Sequence, residues 1–195
     1  MHFSFELLKS IFGWYILATL IRMLDIVKFK YCPRCGEQQL HPHDAKSLVC
    51  LSCGFVYYHS SAAVAVGIVE CDEKIILTQR AIEPNKGLLA LPGGFVDYEE
   101  SLECGLIREL QEELNITIKS PTYLCSYWER YLFLDVLYFS TIAFFVVRAN
   151  DISNITAKDD VDAFLFIHPN DIEYSKLAFE SDRVALDKYQ KLNSG

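Results

Sequence analysis

Gly93-Gly-Phe-Val-Asp-Tyr-Glu-Glu-Ser-Leu-Glu-Cys-Gly-Leu-Ile-Arg-Glu-Leu-Gln-Glu-Glu-Leu-Asn-Ile116 is the stretch whose reading decides the fold. Two glycines close a turn after Leu91-Pro92. From Ser101 to Leu114 the spacing predicts a helix, with Ser101 as its N-cap. Leu102, Leu106, Leu110 and Leu114 recur every four residues and make the core-facing stripe. Glu109, Glu112 and Glu113 stand at i, i+3 and i+4, which stacks three carboxylates on one face. Like charges so placed repel. A divalent cation that prefers oxygen, Mg2+ or Mn2+, offsets them. Gly105, one turn before Glu109, is expected to leave space for a metal or phosphate, since a mid-helix glycine costs about 1 kcal/mol against alanine. A lone Glu-x-x-Glu-Glu would read as a solvated acidic face; the residues around it reverse that ranking.

Those residues resemble the Nudix box, Gly-x5-Glu-x7-Arg-Glu-U-x-Glu-Glu-x-Gly-U, where U is a bulky aliphatic residue. Gly94, Glu100, Arg108, Glu109, Glu112 and Glu113 match in type and spacing, and Leu110 and Ile116 fill the aliphatic positions. Asn115 stands where the family has glycine. That position is a helix C-cap needing positive φ, and asparagine is the next best residue there. The resemblance implies an α/β fold, the Nudix α/β/α sandwich with a mixed sheet. It also implies a metal-dependent hydrolase cleaving the pyrophosphate of a nucleoside diphosphate linked to another group, of ADP-ribose, dinucleotide or nucleotide-sugar type. Glu109, Glu112 and Glu113, with the Gly93 carbonyl, are then the Mg2+ or Mn2+ ligands. Arg108 orients a glutamate, Glu100 being the candidate. Arg80 and Lys86 are candidates for phosphate contact, with Gly94 beside them as a substrate-binding residue; solvated surface charge explains either cation as well. The general base is one of the helix glutamates, Asp160 or Asp162. Trp128, Tyr131 and Phe95 could stack a base, although aromatics in so apolar a chain also serve a core.

Seven cysteines occur in 195 residues. Cys32-Pro-Arg-Cys35 and Cys50-Leu-Ser-Cys53 are two knuckles at the spacing of a structural zinc ribbon. Gly36 and Gly54 each follow the second cysteine, where a tight turn around sulfur uses positive φ. Four thiolates close the coordination sphere, so Zn2+ there supports folding rather than catalysis. A ribbon directly before such a domain resembles the zinc-ribbon branch of the family, alongside NADH pyrophosphatase and ADP-ribose pyrophosphatase relatives. The Ser-Gln-Pro-Trp run that marks NADH specificity is replaced by Lys119 to Trp128, and Leu132 stands where ADP-ribose hydrolases often carry proline. The remaining cysteines, Cys71, Cys104 and Cys125, are odd in number and widely spaced. That suits a reducing compartment, and a cytoplasmic location is expected.

Three segments follow: residues 1–27, 28–60 as the ribbon, and 61–195 as the hydrolase domain. Residues 3–27 are strongly apolar and read as an N-terminal helix, but their uncharged run, Ser10 to Ile21, is short of the roughly 17 residues a membrane span needs. The readings left open are a helix docked on the domain or on a second copy in a homodimer, membrane association in the interfacial plane, a chain start at Met23, and an anchor. The net charge of −8 argues against broad nucleic-acid binding. The ribbon itself is mildly basic, which leaves RNA contact open, and a capped RNA end is itself a pyrophosphate. The competing function is a non-catalytic nucleotide-sensing or RNA-binding protein on the same scaffold; such a protein is expected to have lost box acids, and here all are present. Beyond the box, strands are expected over Ala62 to Val69, Lys74 to Arg80 and Ala163 to His168, a loop over Trp128 to Tyr131, and a closing helix over Tyr174 to Leu192.

Overall fold

A computed structural model describes residues 29–44, 46–133, 136–149 and 152–193. The expected N-terminal helix lies outside them. The chain divides into one unit of residues 1–60 with 134–138 and another of 61–133 with 139–195.

In the first unit, β1 (Leu40–Asp44), β2 (Ser47–Cys50) and β3 (Val56–Tyr58) form an antiparallel sheet in the order β1-β2-β3. The two cysteine knuckles are wound alike. Gly36 N–H donates to the Cys32 carbonyl and Gly54 N–H to the Cys50 carbonyl, both at 2.9 Å, with φ of +77° and +71°. A Cβ at either position would be strained, so the glycines fix the turns that bring the sulfurs together.

The second unit carries β4 (Ala62–Cys71), β5 (Lys74–Arg80), β6 (Leu89–Ala90), β7 (Gly93–Phe95), α1 (Leu102–Leu114), β8 (Thr122–Phe133), β9 (Val136–Arg148, of which Phe139 onward belongs to this unit), β10 (Val161–Ile167) and α2 (Glu180–Asn193). The sheet runs β10-β5-β4-β9-β8, with β6 on β5 and β7 on β4. Its central pair, β4 and β9, is parallel, while β5 is antiparallel to both β4 and β10, so the sheet is mixed. Strand alternation sorts the apolar residues to two faces. Val66, Ile68, Ile75, Leu77, Ile142 and Phe144 pack with Ala185, Leu186 and Tyr189 of α2. Ala65, Val69, Ile76, Ala143, Phe145 and Val147 pack with Leu106, Leu110 and Leu114 of α1. The result is the expected α/β/α sandwich, with one amphipathic helix covering each face.

Two local expectations need correction. Trp128 to Tyr131 is not a loop but part of β8. Tyr127, Trp128 and Tyr131 are strand-favouring residues, and their polar neighbours Glu129 and Arg130 concealed the run. The closing helix starts at Glu180, after a 3-10 turn over Tyr174–Lys176. Arg183 reaches back to the carbonyls of Tyr174 and Leu177, at 3.0 and 2.8 Å, and satisfies them outside a continuous helix.

Candidate active site

The site is built where α1 meets β7. Ser101 caps α1, accepting from Cys104 N–H at 3.2 Å, and Asn115 ends it in the left-handed conformation at φ +55°. These caps fix the two ends of the helix, and Leu106, Leu110 and Leu114 set the face that meets the sheet. β7 runs close against β4 at Gly93 and against the Glu109 side chain of α1 at Gly94. A Cβ on Gly93, at φ +138°, would stand 2.3 Å from the Ala65 carbonyl oxygen. A Cβ on Gly94 would stand 2.6 to 2.7 Å from the Glu109 carboxylate.

The acids sit in distinct settings. Glu113 is buried, and its Oε2 accepts from Gly93 N–H at 2.9 Å. Burial first, then the charges of Asp160, Glu109 and Asp159, push its carboxyl well above the ordinary range, against the lowering effect of the Gly93 bond. Glu109 is pushed up by burial, with Glu112 and Asp160 adding to it and Arg108 opposing. Glu112 is half exposed. Arg108 ties the group together. It grips both oxygens of Glu100 at 3.0 Å through Nε and Nη2. Nη1 donates to Glu109 and Glu112 at 2.9 Å each, and Nη2 to the Phe95 carbonyl at 2.9 Å. Its side chain is spent on these acceptors. Glu100 also accepts from Asp97 N–H, and the Arg108 fork holds its carboxyl below the usual range.

Gly105 is not the open space expected of it. A Cβ there would meet Val96 Cγ2 at 3.1 Å and Glu100 Oε2 at 3.3 Å. The glycine makes room for Glu100 to reach Arg108, not for a ligand.

A cleft opens beside Glu113. Gly93, Gly94, Glu113 and Asp160 line one part of it; Phe95 and Tyr131, ring centroids 6.2 Å apart and edge to face, line another. Arg80 also lines it, its guanidinium 5.0 Å over the Phe179 ring and its Nε donating to the Pro84 carbonyl. The structure does not bring Lys86, Asp162 or Trp128 to the cleft. Lys86 and Asp162 are exposed, and Trp128 stacks on Tyr127 with centroids 6.1 Å apart. Sequence reasoning passed over Glu129, Ser181 and Asp182, which all line it. Asp182 in the first turn of a helix reads as an ordinary charge facing the helix dipole, and no spacing ties it to Glu129.

The cysteine cluster passes a test of fit for a metal. The four cysteine sulfurs lie within 4.8 Å of one another, with Cys32 to Cys53 at 3.8 Å and Cys35 to Cys50 at 3.7 Å. A tetrahedral zinc with bonds of about 2.3 Å has sulfurs roughly 3.8 Å apart. Among the described residues no other such group converges as tightly. Around the helix acids, the charge of Asp160 raises the cost of ionising both Glu109 and Glu113, and Glu109 adds to it at Glu113, a concentration of hard oxygens that suits a divalent cation.

Three comparisons bear on this arrangement. Over 72 residues the chain is 43% identical to an ADP-ribose pyrophosphatase of Methanocaldococcus jannaschii, covering 37% of this chain and 42% of that protein. Over 118 residues it is 31% identical to the NAD-capped RNA hydrolase NudC of Shigella dysenteriae, covering 58% of this chain and 45% of that protein. The chain thus spans less than half the length of these relatives. The fold matches a NUDIX hydrolase crystal structure from Nitrosomonas europaea with a TM-score of 0.72 at 23% identity, over 85% of this chain and 93% of the other. It also matches the NUDIX domain of Shewanella oneidensis NrtR, solved with ADP ribose, with a TM-score of 0.57 at 20% identity, over 70% and 90%. The NUDIX domain model matches residues 61–188, a span that takes in the sheet, α1, the first part of α2 and every acid described above, and the chain therefore belongs to the Nudix family.

Proposed function

We propose that this protein is a metal-dependent hydrolase that cleaves the pyrophosphate of a nucleoside diphosphate joined to a second group. The observation that carries this is a cleft lined by Glu113 of α1, Asp160 and the Gly93-Gly94 turn, with Glu109 and Glu112 tied to the same helix by Arg108. Glu109, Glu112 and Glu113 would hold Mg2+ or Mn2+, with the Gly93 carbonyl as a backbone ligand. When bound, the ions neutralise the phosphates and lower the pKa of water. The chain's own part is positional. Gly93 N–H fixes Glu113, and Arg108 fixes Glu109 and Glu112 while Glu100 fixes Arg108. Outside α1, Asp160 lines the cleft, its carbonyl accepting from Ala81 N–H, and its side chain would take a proton from attacking water. Arg80, which lines the cleft, would contact a phosphate oxygen, and Phe95 and Tyr131 would offer ring faces to a base. The four cysteines would hold structural Zn2+.

ADP-ribose, dinucleotides and nucleotide sugars are the substrates to try, with Mg2+ and then Mn2+. Chromatography should show a nucleoside monophosphate and a phosphorylated remainder. If only nucleoside triphosphates were turned over, the assignment to diphosphate-linked substrates would be wrong. If nothing were turned over while nucleotides still bound, the sensing alternative would take its place.

A further inference from the structure

Away from the helix acids, the sheet carries a second hollow. It is lined by Glu70 of β4, Val146 and Arg148 of β9, and Lys119, Ser120 and Thr122 at and just before the start of β8. The cleft beside Glu113 takes Val66 of β4 and Ile142 of β9. Glu70 and Val146 lie four residues further along the same strands, roughly 13 Å at about 3.3 Å per residue. β4 and β9 run parallel here, with Glu70 beside Arg148. Ile68 and Val146 pack on the α2 face, so strand alternation sends Glu70 and Arg148 to that face too. Glu70 is fixed from below. Its Oε1 accepts from the Tyr189 hydroxyl at 2.7 Å, and Tyr189 is only 8% exposed. Its Oε2 accepts from Arg148 Nε at 3.1 Å. Both oxygens of the one acid lining the hollow are thus occupied, and the guanidinium is held by its Nε edge. Arg148 Nη1 and Nη2 have no acceptor among the described residues, on a side chain 85% exposed. The side chains of Lys119, Ser120 and Thr122 make no hydrogen bond among those residues either.

Donors without protein acceptors therefore line one hollow. Two cations stand there against one acid, in a chain whose net charge is −8. As a stabilising contact alone, an exposed Glu70–Arg148 pair contributes little. As a mount it does more, because a guanidinium pinned at Nε presents its Nη pair as a fork for two oxygens of one anion. A carboxylate would use up the fork and leave the amine and both hydroxyls idle. A phosphate has oxygens for all of them. We propose that Arg148, Lys119, Ser120 and Thr122 bind a phosphate group at a site separate from the cleft beside Glu113. The ligand is a phosphate dianion, either free phosphate or the end of a phosphomonoester. The site stands whether or not the cleft hydrolyses a pyrophosphate.

Nitrogen–proton NMR spectra of the full chain, with no divalent cation added, test this. Inorganic phosphate should produce saturable shifts at the backbone amides of Ser120 and Thr122 and at Arg148 Nε–H, beyond those of NaCl at matched ionic strength. Arg148→Met should weaken the affinity about fivefold, the scale of one exposed charge pair. Lys119→Gln, which breaks no contact within the described residues, should do the same and keeps the test open if Arg148→Met folds poorly. Ribose 5-phosphate in parallel tells the two sources apart. Tighter binding than inorganic phosphate assigns the site to a phosphomonoester, equal or weaker binding assigns it to free phosphate, and both results keep the proposal. No saturable shift at these signals, shifts that NaCl reproduces, or unchanged affinity in the folded variants would overturn it.

Discussion

Gly93 N–H donates to Glu113 Oε2 at 2.9 Å, so the strand that brings in the glycine turn also aims the most buried acid of the helix. The two residues lie 20 apart in sequence, and neither can be placed alone. Gly93 needs its positive φ to pass the Ala65 carbonyl, and Glu113 needs a donor because burial penalises its charge. This bond is the reason the turn and the helix act as one unit.

The next glycine gives the first prediction. Gly94→Ala puts a methyl 2.6 to 2.7 Å from the Glu109 carboxylate, which must then swing away. Displacing a metal-holding group by about 1 Å costs on the order of 100-fold in rate. Turnover should fall by that much while the melting temperature drops by only a few degrees. Normal turnover would show that Glu109 has no fixed position to keep.

Arg108→Lys keeps the charge and removes the fork. Lysine cannot grip both oxygens of Glu100 while also donating to Glu109, Glu112 and the Phe95 carbonyl. We expect a loss of about 1–3 kcal/mol in urea denaturation, together with weaker Mg2+ or Mn2+ activation. A variant of unaltered stability and metal dependence would mean that the Arg108 network is ornamental.

Asp182 sets a pH signature. Its folded pKa of about 7 lies above the ordinary 3.8, so between those values the folded chain holds a proton that the unfolded chain releases. Its contribution to stability therefore weakens as pH rises through that window, by at most about 4 kcal/mol. Asp182→Asn removes the titration and keeps an acceptor for Leu91 N–H. Urea melts from pH 5 to pH 8 should show the variant gaining on the unaltered protein as pH rises. Parallel profiles would contradict this.

What the sequence revealed follows physical range. The box helix, its caps at Ser101 and Asn115, and the cysteine knuckles are local patterns, so spacing alone made them legible. The sandwich was an expectation from the resemblance that the box residues carry, and one helix on each face of the mixed sheet bears it out. Glu129, Ser181 and Asp182 meet across 52 residues of chain, and no periodicity reports such a meeting. Gly105 misled for a related reason. Its missing side chain was legible, but the tenant of the space, Glu100, arrives only through the Arg108 fork.

The central claim is that the helix acids do the chemistry while the cysteines support the fold, and one paired measurement tests it. Glu112→Gln keeps the shape and removes a charge from a half-exposed side chain. It should cut kcat by two or more orders of magnitude, with zinc content and melting temperature nearly unchanged. Cys50→Ser, which removes one thiolate of the zinc set, should lower zinc content and melting temperature first and lose activity only as the fold loosens. The deciding value is kcat of Glu112→Gln on the best substrate with saturating Mg2+ or Mn2+. A drop of at least 100-fold in a protein of intact zinc content is the predicted result; near-normal turnover would contradict the account.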